Sequence, residues 1–87
     1  MSYKVGDFVL FKHPRFLEHL NIIEIHTINN GDNIYTCLSV EALNERSKRF
    51  VGNINQFTKP DDSGSYQLIL ITDEKEIARL NKIMVFK

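Results

Sequence analysis

Lys4-Val5-Gly6-Asp7-Phe8-Val9-Leu10-Phe11-Lys12 is the stretch that dictates the fold of this chain. A Gly-Asp turn signal runs into a short, apolar, β-preferring segment that a lysine ends, which predicts a strand. Both faces of that strand are apolar. With Val9 and Phe11 turned into a core, alternation sends Phe8 and Leu10 to the opposite side. Such a strand is unstable alone in water, so the C-terminal segment or a partner must cover the far face.

Working outward, Pro14 suits the first position of a helix, and Phe16, Leu17 and Leu20 fall at helical spacing. The expectation for His13 to Asn21 is therefore one short helical turn within a loop. Ile22 to Ile28 reads as a second strand and Ile34 to Val40 as a third, joined by the turn signal Asn29-Asn30-Gly31-Asp32-Asn33. The segment from Glu41 to Phe57 admits two readings. As a helix it lines up Leu43, Ser47, Phe50, Ile54 and Phe57. As β structure it places a hairpin turn at Asn44-Glu45-Arg46-Ser47 and a fourth strand over Lys48 to Ile54. Gly52, Asn53 and Asn55 are poor helix-interior residues and favour the hairpin.

Lys59 to Ser65 reads as a loop, and Tyr66 to Ile71 as an almost continuously apolar fifth strand buried on both sides. Thr72 or Asp73 can cap a helix, and Asp73 and Glu76 have capping-box spacing. Ile77, Leu80 and Met84 or Ile83 form its apolar stripe, with Lys75, Arg79 and Lys82 facing water. That helix is the natural cover for Phe8 and Leu10. The expected fold is mainly β (α+β): a small, bent, five-stranded antiparallel barrel or half-barrel with a C-terminal helix. It forms one domain over residues 1–87, with a barrel-like core over 3–60, a loop at 61–65, and an added strand and helix over 66–87.

Composition narrows the function. The 87 residues carry 11 basic and 11 acidic side chains, a formal net charge of +0, which counts against a dedicated non-specific nucleic-acid binder. The one cysteine, Cys37, leaves no intrachain disulfide framework and fits a reducing compartment. No apolar run approaches a membrane span, and residues 1–7 lack the apolar core of a signal peptide, so the expected location is cytoplasmic and no membrane partner is expected.

Three features resemble the Tudor and KOW group of small, strongly bent β-barrels: Lys4 to Leu10 at the entrance, the hairpin at Asn30-Gly31-Asp32, and Val51-Gly52-Asn53-Ile54-Asn55-Gln56-Phe57. The likeness covers roughly residues 3 to 60. Members of that group bind methylated lysine or arginine tails, RNA, DNA or other proteins, so the resemblance implies a binding module without choosing a ligand.

The residues nominate no catalytic constellation and no cofactor. His13, His19 and His26 match no zinc spacing, so surface or half-buried roles are the plainer reading, with His13 beside Pro14 and Arg15 able to touch a ligand. Cys37 has no base or orienting group in its sequence neighbourhood and reads as packing, and Asp61-Asp62 as a solvated turn. Basic residues form two groups, Lys12/His13/Arg15 and Arg46/Lys48/Arg49, with Lys59 a third point. Near Phe16, Tyr35 and Phe50 they could hold a phosphate backbone and a stacked base. The plainer alternative pairs Arg46, Lys48 and Arg49 with Glu41 and Glu45. An aromatic cage would need Tyr3, Phe8, Tyr35, Phe50 and Tyr66 to converge.

The leading expectation is a non-enzymatic protein-interaction domain, which suits a small bacterial or phage regulator or inhibitor. Its binding residues would be Phe8, Leu10, His13, Arg15, Phe16, Leu17, Tyr35, Arg46, Lys48 and Arg49. The alternative is a nucleic-acid-binding module built on Lys12/Arg15 and Arg46/Lys48/Arg49. A homodimer through Ile69, Ile71 or the edge of the fifth strand is a further possibility.

Overall fold

The computed structural model describes residues 3–58 and 66–85. Five strands form one antiparallel sheet: β1 (Phe8–Lys12), β2 (Leu17–Thr27), β3 (Asn33–Ala42), β4 (Ile54–Phe57) and β5 (Gln67–Leu70), followed by the helix α1 (Glu74–Val85). The order across the sheet is β4-β3-β2-β1-β5, so β4 and β5 are its two ends. The sheet is not closed by hydrogen bonds. It curls until the rings at its two ends meet: Phe57 of β4 lies 5.3 Å from Tyr66, just before β5, and both pack on Phe11 of β1. This is the expected half-barrel with its C-terminal helix.

Strong bending needs an irregular strand, and β2 supplies it. Its register with β3 shifts at His19/Leu20 and again at Ile22/Glu24, a β-bulge pattern that lets one long strand turn through the corner of the sheet. The β2–β3 hairpin closes at the anticipated Asn-Gly-Asp cluster, where Gly31 has φ +88°.

Phe8 and Val9 are both buried, and they belong to different cores. Val9 packs inside the curl with Leu20, Ile22, Tyr35, Cys37 and Leu68, and Phe11 lies against the same cluster. Phe8 points the other way, onto Val40 and Leu80, with Ile71, Ile77, Ile83 and Met84 around them. The C-terminal helix therefore covers the second face of β1 at Phe8, while Leu10 is half-buried and lies outside that cluster. Asp73 opens that helix, its Oδ1 accepting from Lys75 N at 3.3 Å, while the Glu76 carboxylate turns to Arg79.

Three sequence expectations are corrected. Phe16 to Leu20 is not a helical turn: β2 begins at Leu17 and pairs with β1 through Lys12↔Leu17, Phe11↔Glu18, Leu10↔His19 and Val9↔Leu20. Proline's fixed φ suits a tight strand connection as well as a helix start, and here Pro14-Arg15 joins His13 to Phe16, whose carbonyl accepts from His13 N at 3.0 Å. Residues 44–54 form neither the hairpin nor a long helix. A 3-10 turn spans Glu45–Phe50, and β4 starts only at Ile54, after Gly52 reverses the chain at φ +93°. Finally, β5 is not buried on both sides: Leu68 is enclosed but Ile69 is 44% exposed. The expected loop at Lys59 to Ser65, with Asp61-Asp62, lies outside the described residues.

Candidate binding corner

Of the first basic group Arg15 meets the second, although by a different route from the one the sequence suggested. Asn44 caps the 3-10 turn, its Oδ1 accepting from Ser47 N at 3.0 Å, while its Nδ2 donates to the carbonyl of Arg15 at 3.1 Å. Ser47 is fully buried, and its hydroxyl accepts from Leu17 N at 2.9 Å. These bonds clip the 3-10 turn onto the β1–β2 connection. They place Arg15 beside Arg46, Lys48 and Arg49, which with Phe16 and Glu45 line an open groove of about 500 Å³.

Lys48 is held by Glu45 at 2.8 Å, one of the ion pairs expected from the sequence. The expected use of Glu41 is corrected: its carboxylate binds Arg79 of α1 at 2.7 and 2.8 Å and lies 2.8 Å from His19 Nδ1. Among the described residues, Arg46 and Arg49 form no ion pair with a carboxylate. The Arg49 guanidinium instead sits 4.9 Å from the centre of the Phe50 ring.

Beside this groove, sharing Phe16 with it, lies a smaller pocket of about 250 Å³. Phe11, Phe16, Phe50 and Phe57, all half-buried, form its walls, with the exposed Asn55 and Gln56 at the rim. Phe16 meets Phe50 edge-on at 5.1 Å, and the His13 ring stacks between Phe16 and Phe11 at 5.2 and 6.1 Å. The inner end is made by buried Leu20 and Cys37 and by Glu18, a carboxylate only 6% exposed. Glu18 Oε1 accepts from the Ser39 hydroxyl at 2.6 Å. Glu18 was not singled out from the sequence. Only the inward alternation of Glu18, Leu20 and Ile22 along β2 could have signalled it.

The remaining candidates disperse. Phe8 and Tyr35 are core residues and cannot take part in a surface site, since α1 covers the first and the curl encloses the second. Leu10 and Leu17 are half-buried on the sheet, and Lys12 is exposed on β1 outside the groove. The five rings considered for a cage do not converge: Tyr3 pairs edge-on with Tyr35, Phe8 lies under the helix, Tyr66 joins Phe11 and Phe57, and only Phe50 reaches the corner. Lys59 lies outside the described residues.

The three histidines are likewise separate. His13 Nδ1 accepts from Arg15 N at 3.0 Å within the turn, and His26 lies 2.6 Å from Glu24 on the surface. His19, Glu41 and Glu76 do bring ligand-type atoms within 4.8 Å of one another, but Arg79 binds both carboxylates and fills the role a cation would take. The hydrogen bond from Arg79 is the main reason the Glu41 carboxyl is held down at about 2, with His19 contributing and partial burial opposing. Burial pushes the Cys37 thiol up to about 12, which suits packing and not nucleophilic chemistry.

Among the described residues no helix is long and apolar enough to cross a membrane. Comparison of the chain with family models, curated proteins and solved structures gave no match.

Proposed function

We propose that this domain is a non-enzymatic interaction module that engages another protein through the corner where the β1–β2 connection meets the 3-10 turn. A small bacterial or phage regulator or inhibitor would act in this way. The observation that carries the reading is the aromatic pocket of Phe11, Phe16, Phe50 and Phe57 opening beside Arg15, Arg46 and Arg49. Arginines and aromatic rings at the edge of a water-excluding pocket are the groups that dominate protein interfaces. The hydrogen bonds of half-buried Asn44 and buried Ser47 hold them in place before a partner arrives, which limits the ordering cost of binding. The resemblance to Tudor and KOW barrels points toward binding as well.

One observation favours a second reading. Three arginines beside the rings of Phe16 and Phe50 also suit a phosphate backbone with an unstacked base, so nucleic acid is the alternative partner. The neutral net charge places it second.

The deciding experiment is a pull-down from the host's lysate with tagged wild-type protein, Phe16→Ala, and Arg46→Glu combined with Arg49→Glu, each with and without nuclease. A stoichiometric protein should survive nuclease and be lost with Phe16→Ala, in a variant whose melting curve shows it folded. Truncating a central aromatic should weaken the complex roughly 10- to 100-fold. Capture abolished by nuclease, with affinity falling steeply in salt, would transfer the site to nucleic acid. A protein partner indifferent to Phe16 would place the interface elsewhere.

A further inference from the structure

The two concavities of the corner carry opposite charge requirements, and together they describe a ligand. The outer groove offers Arg15, Arg46 and Arg49 with Glu45 already committed to Lys48, so it attracts acidic groups. The inner pocket is walled by phenylalanines and ends on the buried carboxylate of Glu18. Ser39 is its one hydrogen-bond partner among the described residues, and it makes no ion pair there. A carboxylate has acceptor sites beyond the one Ser39 uses, so Glu18 can receive a donor that enters the pocket. The arginines of the adjoining groove, one of them 4.9 Å from the centre of the Phe50 ring that walls the pocket, disfavour a cation here by like charge, and a phosphate or carboxylate going inward would meet Glu18. What satisfies both is a neutral ring with one N–H or O–H at its tip. At about 250 Å³ the pocket lies below the ~300 Å³ at which small-molecule sites begin, and it suits a single side chain.

We infer that the corner docks an acidic peptide segment of a partner protein, with a tyrosine or tryptophan of that segment seated among Phe11, Phe16, Phe50 and Phe57. The ring's O–H or N–H donates to Glu18, and the flanking Asp or Glu residues lie along Arg15, Arg46 and Arg49. Tyrosine and tryptophan combine a large apolar body with a single polar tip, which is the shape of this pocket. The inference rests on the corner being the partner surface. If the captured protein ignores Phe16→Ala, that underlying reading fails; if an intact corner selects a different chemistry, only this inference fails.

The test uses the whole chain, immobilised, against a displayed library of random linear peptides. The expected enrichment is tyrosine or tryptophan flanked by Asp and Glu. The best tyrosine peptide and its phenylalanine counterpart are then titrated against wild type and Glu18→Gln. Loss of a hydrogen bond to a charged acceptor should weaken the tyrosine peptide roughly tenfold or more on Glu18→Gln, while the phenylalanine peptide binds both proteins equally. Should Glu18→Gln fail to fold, Arg46→Glu provides the second readout, since it should lower affinity for acidic-flanked peptides and raise it for basic-flanked ones. Enrichment centred on lysine or arginine, an unbiased library, or equal losses for the two peptides would overturn the inference. So would displacement of the peptides by a mixed-sequence single-stranded oligonucleotide at equal concentration.

Discussion

Leu80→Ala tests the central argument that β1 needs a cover on its second face. Leu80 is fully enclosed, and it meets Phe8 of β1 and Val40 of β3 in a cluster ringed by Ile71, Ile77, Ile83 and Met84. Truncating a buried leucine generally costs about 2–5 kcal/mol, depending on how far the site can collapse. Here the neighbours come from the sheet as well as from α1, and the sheet residues are fixed by strand pairing, so collapse is limited. The expected loss is about 3–4 kcal/mol, in the upper part of that range. For a domain of this size the whole stability is roughly 4–13 kcal/mol, so the variant should sit near the edge of folding. Its melting temperature should fall by about 12–30 °C, at roughly 4–8 °C per kcal/mol. Far-UV circular dichroism in heat and in urea measures this directly, and an unchanged urea m-value would certify a stability effect. Lys82→Ala, on the exposed side of α1, is the control and should stay within about 0.5 kcal/mol of wild type. A loss under about 1 kcal/mol for Leu80→Ala would refute the reasoning, because a helix seated over Phe8 cannot lose its central side chain so cheaply.

Acid should release the tie between α1 and the sheet. The Glu41 carboxyl is drawn from 4.5 to about 2 chiefly by Arg79, so its folded value lies below its unfolded one. Its stabilising contribution is then complete above pH about 4.5 and lost as pH falls toward about 2. The gap in urea midpoint between wild type and Glu41→Gln should therefore be flat near neutrality and close across that window. Asn44→Ala should cost about 0.5–2 kcal/mol as a lost cap, and it should weaken partner binding by freeing Arg15 from Arg46, which titration at matched folded fraction would show. Cys37 should resist iodoacetamide in the native protein near neutral pH and label only as the chain unfolds in urea. Rapid native labelling would contradict its burial.

The parts of this fold written in apolar alternation and turn chemistry were legible. Phe8 and Val9 announced two faces, Asn30-Gly31-Asp32 announced the hairpin, and Ile77, Leu80 and Met84 announced the covering helix. What escaped were elements held by polar side chains acting at long range. Glu18 faces inward on β2 because Ser39, on the neighbouring strand, receives its carboxylate, and without that knowledge Phe16, Leu17 and Leu20 scan as a helix. The 3-10 turn depends on Asn44 reaching Arg15 and on Ser47 reaching Leu17, contacts no local window contains. The candidate site was half legible for the same reason. Arg15, Phe16, Arg46, Lys48 and Arg49 were named correctly as neighbours, while Phe11, Phe57 and Glu18 join them only through the curl of the sheet.

The way Asn44 and Ser47 fasten the corner separates two kinds of position. Arg46, Lys48 and Arg49 stand in solvent on a short turn whose shape they do not determine, whereas half-buried Asn44 and fully buried Ser47 determine it. Substitutions at the outer three can change what the corner attracts without altering the frame that presents it. On the proposed reading of the corner, a lineage carrying this domain can thus follow a drifting target by changing a handful of surface codons while the architecture stays put.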